Sequence, residues 1–259
     1  MPSLDAESGR ALPDPDARFH GLQALLAPRY DVIETRIEAG GAVFVMQHPS
    51  ASEALIDEQA FQRDERLPYW ADIWPSAQVL ADHVARHQGD GRRAVDLGCG
   101  SGLVACALAR AGYHVTVSDY YDEALDFARL NVWHNARREA DALLLDWRRL
   151  PERLPTFDVL AAADVLYERP YGALVAKVVA RLLAPDGYAI IADPGRVGLE
   201  PFMDATRSVG LSLVEHWDVD QMIGGERHTV RLRVFRHGAA FGQGCRRGGG
   251  SFRGAPSSR

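Results

Sequence analysis

Residues 94–105 read AVDLGCGSGLVA, and this stretch decides the fold. Residues 94–97 form a short apolar run that encloses Asp96. Gly98, Gly100 and Gly102 follow at alternate positions. A helical period then starts at once, with Leu103, Val104, Ala107, Leu108 and Ala111. A strand, a tight glycine loop and a helix N-terminus in that order make the nucleotide-binding opening of a doubly wound α/β sheet. The loop departs from the dinucleotide fingerprint, which wants a glycine where this chain has Leu103. The Gly-Lys-Ser/Thr of a phosphate-binding loop is missing as well. What remains suits a small zwitterion. Glycine lets the backbone approach a ligand with no Cβ in the way. Amides at the helix start can receive a carboxylate, while Asp96 and loop carbonyls can hold an ammonium.

Working outward, a second strand is expected over residues 113–118, ending at Asp119, 17 positions after Gly102. An acid at the tip of that strand can accept hydrogen bonds from both ribose hydroxyls. The other reading is a helix N-cap, a role that Asp122 fills better. A third strand over residues 142–145 leads into Asp146-Trp147. The carboxylate can accept from an adenine amino group and the indole can border the base; taken alone, Trp147 would read as ordinary packing. The Asp-x-Gly-x-Gly-x-Gly form of the loop resembles motif I of the class I S-adenosylmethionine methyltransferases. That resemblance implies one S-adenosylmethionine site, with S-adenosylhomocysteine as the product left behind and no metal. Its contacts would come from Trp74, Asp96, Gly98, Cys99, Gly100, Gly102, Asp119, Tyr120, Asp146, Trp147 and Ala163.

The fourth strand, residues 157–163, is a nearly unbroken apolar run, as expected of a central parallel strand covered on both faces. It ends in Asp164-Val165-Leu166-Tyr167. This Asp-x-x-Tyr resembles the Asp/Glu-x-x-Tyr/Phe motif of the family 16 protein lysine methyltransferases. Pro68 to Ser76, PYWADIWPS, is similar to the Trp-Pro segment that precedes the leading helix in that family, and Leu145-Asp146-Trp147 matches too. Asp193-Pro194-Gly195-Arg196 resembles the subgroup holding the lysine methyltransferase of the electron-transfer flavoprotein β-subunit and nicotinamide N-methylase-like proteins. The likeness spans residues 30–237. It implies Asp164 and Tyr167 as catalytic residues and Tyr69, Trp70, Asp193 and Arg196 as substrate contacts. Packing is the alternative role for Tyr69, Trp70 and Tyr167. His114 and His134 receive no chemistry.

Composition agrees. At 259 residues with 47% hydrophobic content, the chain can bury one large α/β core with additions. A net charge of −6 argues against a general grip on nucleic acid, which relies on phosphate neutralisation. Cys99, Cys106 and Cys245 have no metal-site spacing and imply no disulfide framework, so a reducing cytoplasm and a monomer are expected. No apolar run has membrane-spanning length, and the acidic N-terminus is unlike a signal peptide.

Four segments are expected. Residues 1–17 form a disordered tail. Residues 18–92 form an extension containing a hairpin around Gly40-Gly41, the Trp-Pro segment and a leading helix capped by Ser76. Residues 93–237 form the cofactor-binding core, a seven-stranded sheet that closes with an antiparallel hairpin of residues 211–216 and 229–235. Residues 238–259 form a Gly/Arg-rich disordered tail, for which an RNA-binding role is the alternative. The reaction expected is in-line attack on a sulfonium methyl by a nitrogen, the side-chain amine of a protein lysine. The alternatives are a small nicotinamide-like acceptor and a non-catalytic cofactor-binding protein.

Overall fold

The computed structural model describes residues 15–50 and 68–238. The disorder expected for residues 1–14 and 239–259, and Cys245 with it, lies outside the described residues.

Strands β3 (Arg93–Leu97), β4 (His114–Asp119), β5 (Asp141–Leu144), β6 (Phe157–Ala163), β7 (Leu183–Asp193), β8 (Leu211–Ile223) and β9 (Glu226–His237) form one sheet in the order β5-β4-β3-β6-β7-β9-β8. The first five of that row run parallel and β9 is antiparallel to both neighbours. Val95, Leu97, Val159 and Leu160 are at most 1% exposed, because helices cover both faces. Helices α2 (Pro75–Val84), α3 (Leu103–Arg110) and α4 (Asp122–Ala136) cover one face. Helices α5 (Tyr171–Leu182) and α6 (Leu199–Ser208) cover the other. This is the expected doubly wound, seven-stranded sheet with its antiparallel C-terminal hairpin. The chain leaves β3 toward β4 on one side and returns to β6 on the other, so the carboxyl ends of β3 and β6 open the crevice where such sheets bind ligands.

The N-terminal hairpin also forms, as β1 (Val32–Ala39) and β2 (Ala42–Pro49), paired in register with Ala39 opposite Ala42. Gly40 and Gly41 at φ +60° and +76° supply the two positive-φ positions that a tight hairpin turn needs. Two asparagines one helical turn apart on α4 cover the outer edge of β2. Asn131 accepts from the Gln47 amide and donates to its carbonyl, both at 2.8 Å. Asn135 does the same for Val45 at 2.8 and 2.9 Å. Asn131 also donates to the Ser101 carbonyl, so one buried side chain ties the hairpin to the glycine loop.

Several expectations are corrected. Residues 15–17 are not part of a tail; they open helix α1 (Pro15–Leu26). Its Phe19 and Leu26, seven positions apart, pack on Phe127 and Leu130 of α4. Only that narrow stripe is apolar, so the sequence carries little helical signal there. Ser76 does not cap α2: the cap position is Trp74, with Pro75 at the first helical position. Asp122 does not cap α4 either, since Tyr121 holds that position. The C-terminal hairpin is longer than expected. Gly224-Gly225 makes a two-residue turn and lets the ladder run from Ile223–Glu226 to Leu211–His237. No helix among the described residues is long and apolar enough to cross a membrane.

Candidate active site

The glycine loop is fastened to the tip of β4. Gly98 and Cys99 both donate to the Ser118 carbonyl, at 2.8 and 3.0 Å, and the Gly100 amide donates to Asp119 Oδ2 at 3.0 Å. Asp119 Oδ1 takes the amides of Tyr120 and Tyr121 at 2.7 and 3.2 Å. Asp119 thus joins the loops after β3 and β4 through three backbone amides. At Gly100 (φ +51°) a Cβ would come within 2.9 Å of the Trp70 carbonyl, so the close approach requires glycine.

Asp96 is 2% exposed and its Oδ2 accepts from the Ala105 amide at 2.9 Å. Burial pushes its carboxyl up to about 7; the Asp119 charge adds to this and the Ala105 amide opposes it. The buried Cys99 thiol is pushed well above its ordinary range by desolvation, so Cys99 acts as a small neutral side chain.

A cleft of about 300 Å³ opens over these loops. Fifteen candidate positions converge on it: Tyr69, Trp70, Trp74, Asp96, Gly98, Cys99, Gly100, Asp119, Tyr120, Asp146, Trp147, Ala163, Asp164, Tyr167 and Arg196 all line it. Gly102 and Asp193 do not. Gly102 (φ +87°) is the residue before α3, and a Cβ there would lie 2.7 Å from Ala128 Cα and Cβ. Its glycine therefore serves helix packing. Asp193 is 1% exposed, and its Oδ1 accepts from the amides of Gly195 and Arg196 at 2.6 and 2.8 Å. Asp193 fixes the turn that carries Arg196 and has no place on the cleft wall.

At the cofactor end, Asp146 is already bound by Arg148, through its backbone at 3.0 Å and its guanidinium at 3.1 and 3.2 Å. The Arg148 guanidinium also lies over the Tyr120 ring at 5.9 Å. Trp147 serves as wall and as packing. It lies against Gly98 and meets Tyr171 edge-on at 5.8 Å.

At the other end, Asp164 takes a left-handed backbone, φ +58°, uncommon for a residue with a Cβ. Its amide donates to Ala192 at 2.9 Å, which holds it at the tip of β6. The carboxylate accepts from Ser76 Oγ at 3.3 Å and from Arg196 Nε at 2.7 Å. Aromatic rings line the same cleft. Tyr69 meets Trp74 at 5.9 Å and Tyr167 at 5.5 Å, and Tyr167 meets Tyr171 at 4.9 Å. Burial, then Tyr171 beside it, push the Tyr167 phenol well above its usual range, so it stays a neutral donor. Trp70 differs from its neighbour Tyr69. It is buried against Tyr30, Tyr121 and Phe127, and packing is its main role.

Sequence reasoning missed Ser76 as a partner of Asp164, Arg148 as the partner of Asp146, and Tyr171. Only Tyr171 had a signal, an aromatic four positions after Tyr167.

Residues 95–191 match the family model described as a methyltransferase domain. The chain is 32% identical over 126 residues to a ubiquinone biosynthesis O-methyltransferase of Xylella fastidiosa, covering 48% of this chain and 51% of that one. It is 31% identical over 116 residues to the protein-lysine methyltransferase METTL21E of Bos taurus, covering 40% of each. The chain thus spans about half the length, or less, of these curated relatives. Among solved structures, the N-methyltransferase NodS of Bradyrhizobium japonicum in complex with S-adenosyl-L-homocysteine shares the fold. Its TM-score is 0.53 at 18% identity, over 69% of this chain and 97% of that one. Strand order and glycine loop accord with the family match, which makes residues 95–191 similar to a methyltransferase domain.

Proposed function

We propose that this protein methylates a nitrogen, the side-chain amine of a lysine in a protein substrate, with S-adenosylmethionine as the methyl donor. One observation carries the nitrogen reading: a nearly buried carboxylate, Asp164, lines the same cleft as the rings of Tyr69, Trp74 and Tyr167. A carboxylate with aromatic faces around it recognises a cationic head. The relatedness to a protein-lysine methyltransferase supports the lysine.

The donor set fits the cofactor. Asp96, raised to about 7 by burial, is relieved by an ammonium beside it. Asp119 lines the cleft at the tip of β4, where a carboxylate suits ribose hydroxyls, and Tyr120, Leu145 and Trp147 offer apolar walls for a base. When bound, S-adenosylmethionine supplies an electrophilic methyl on a sulfonium. The chain's own part is alignment and exclusion of water, since reaction needs attacking and attacked atoms held at about 3 to 3.5 Å. A lysine amine has a reference pKa of ~10.4, so its neutral form is scarce near pH 7 by roughly 4 to 5 kcal/mol. Desolvation among Tyr69, Trp74 and Tyr167 lowers that cost, and Asp164 orients the amine and accepts its proton.

The likeness to ubiquinone biosynthesis enzymes favours a second reading, O-methylation of a small hydroxylated ring packed on the same aromatics. Cell lysate incubated with radiolabelled S-adenosylmethionine separates the two. Label released as methyl-lysine from acid-hydrolysed protein is the expected result. Label confined to a solvent-extracted small molecule refutes the lysine assignment.

A further inference from the structure

Arg196 stands apart from the cofactor loops, yet it reaches the acceptor end of the cleft. Its turn is rigid. Asp193 Oδ1 holds the amides of Gly195 and Arg196, and Gly195 at φ +101° has the Arg231 guanidinium where a Cβ would be. From that turn the Arg196 side chain makes two contacts. Its Nε donates to Asp164 Oδ1 at 2.7 Å, and its guanidinium lies over the Trp74 ring, 5.3 Å from the centroid. The Arg196 side chain is 36% exposed, whereas the Asp164 side chain beneath it is 4% exposed. The arginine is therefore the lid on the carboxylate, with solvent on its outer side.

A carboxylate and an aromatic face are what any cation needs in such a site. Arg196 thus marks, by its own position, where a cationic head sits. We propose that the Arg196 guanidinium occupies the subsite for the acceptor's ammonium group, and that an entering amine replaces Arg196 on Asp164 and Trp74. This rests on the amine reading above. The exchange keeps the buried Asp164 paired in both states, since a carboxylate left alone there is strongly disfavoured. It also selects. A neutral hydroxyl brings no charge to Asp164 and cannot displace a guanidinium from it, so the resident arginine discriminates against alcohol and phenol acceptors.

The test uses the full chain saturated with S-adenosylhomocysteine and n-butylammonium as probe, with binding read from the Trp74 indole N–H signal in NMR. An occupied subsite lowers the probe's apparent affinity by the fraction of protein that is competent. Arg196→Ala should therefore bind it roughly tenfold more tightly than the native chain. Arg196→Lys keeps a resident cation and should bind like the native chain. Arg196→Lys should keep the native stability, whereas Arg196→Ala leaves Asp164 without its cation and should melt lower; a thermal melt sets the titration temperature at which both variants are folded. n-Butanol cannot displace the guanidinium, so the native chain should bind it more weakly than Arg196→Ala does, and equal binding would mean that Arg196 does not fill the subsite. Equal or weaker butylammonium binding by Arg196→Ala overturns the exchange. So does butyrate binding to the native chain that Arg196→Ala loses, which makes Arg196 a receptor for an anionic acceptor. Failure of the lysine assignment looks different: the exchange holds with butylammonium while the lysate label appears outside lysine.

Discussion

Asp96 gives a pH dependence whose size follows from its surroundings. The residue is 2% exposed, faces the cleft, and holds its proton up to about pH 7 because burial disfavours the anion. An ammonium bound beside it requires the carboxylate form, so ligand binding below pH 7 must expel a proton. At pH 5, two units below the titration point, the anionic fraction is about one in a hundred. The affinity for S-adenosylhomocysteine should then be about a hundredfold weaker than at pH 8, or about 3 kcal/mol. Stability of the free protein moves the opposite way. The unfolded carboxyl titrates near 3.8 and the folded one near 7, so across that window the folded state binds more protons. Asp96 alone therefore lowers stability as pH rises from 3.8 to 7, by on the order of 4 kcal/mol in total. Asp96→Asn removes the titration. It should stabilise the free protein at pH 8 and leave a weak affinity that no longer varies with pH. Calorimetry at pH 6 in two buffers of different ionisation enthalpy counts the expelled protons, and close to one is expected. A native affinity that is flat between pH 5 and 8, with no proton released, would refute the pairing of Asp96 with the ligand's ammonium.

Three further outcomes are expected. Asp164→Asn should slow methyl transfer by at least roughly tenfold while S-adenosylhomocysteine affinity stays within about 1 kcal/mol; full activity would remove Asp164 from the acceptor site. Asn131→Ala orphans the Gln47 amide and the Gln47 and Ser101 carbonyls, and should cost about 3 kcal/mol in urea unfolding; a loss below about 1 kcal/mol would mean water replaces the amide. Gly102→Ala places a methyl on Ala128 in a left-handed backbone and should cost at least about 2 kcal/mol, with an unchanged unfolding midpoint as the contrary result.

What the sequence made legible was local. The apolar run of β3, the alternate glycines and the helical period of α3 are neighbours along the chain, so their order alone implied the crevice. Asp119 and Asp164 were legible for the same reason: each ends an apolar strand, and parallel topology brings strand ends to one edge. The partners of these acids were not legible. Ser76 reaches Asp164 across 88 positions, Arg196 across 32, and Asn131 reaches Gln47 across 84. No periodicity encodes such pairs; tertiary packing creates them. Gly102 shows a subtler limit. A motif explains why three glycines stand together, but only the packing of α3 on α4 separates the one needed for Ala128 from those that face the cleft.

The Asp193–Arg196 segment shows how two residues of one motif take different places in the fold. Read along the chain, Asp193 and Arg196 are two charged candidates for substrate contact. In the fold they divide the work. Asp193, 1% exposed, holds two backbone amides with its Oδ1 and lies off the cleft wall. Burial and the nearby Asp164 charge push its carboxyl upward, and the amides of Arg196 and Gly195 oppose them. Two acids therefore crowd this end of the sheet, and the arrangement is tolerable because Arg196 lies between them and solvent with its guanidinium on Asp164. The cation is needed for the fold's electrostatics whether or not an acceptor is present. A site that must always hold a positive charge can release its own only to another. That requirement links the stability of this corner to the kind of acceptor it admits.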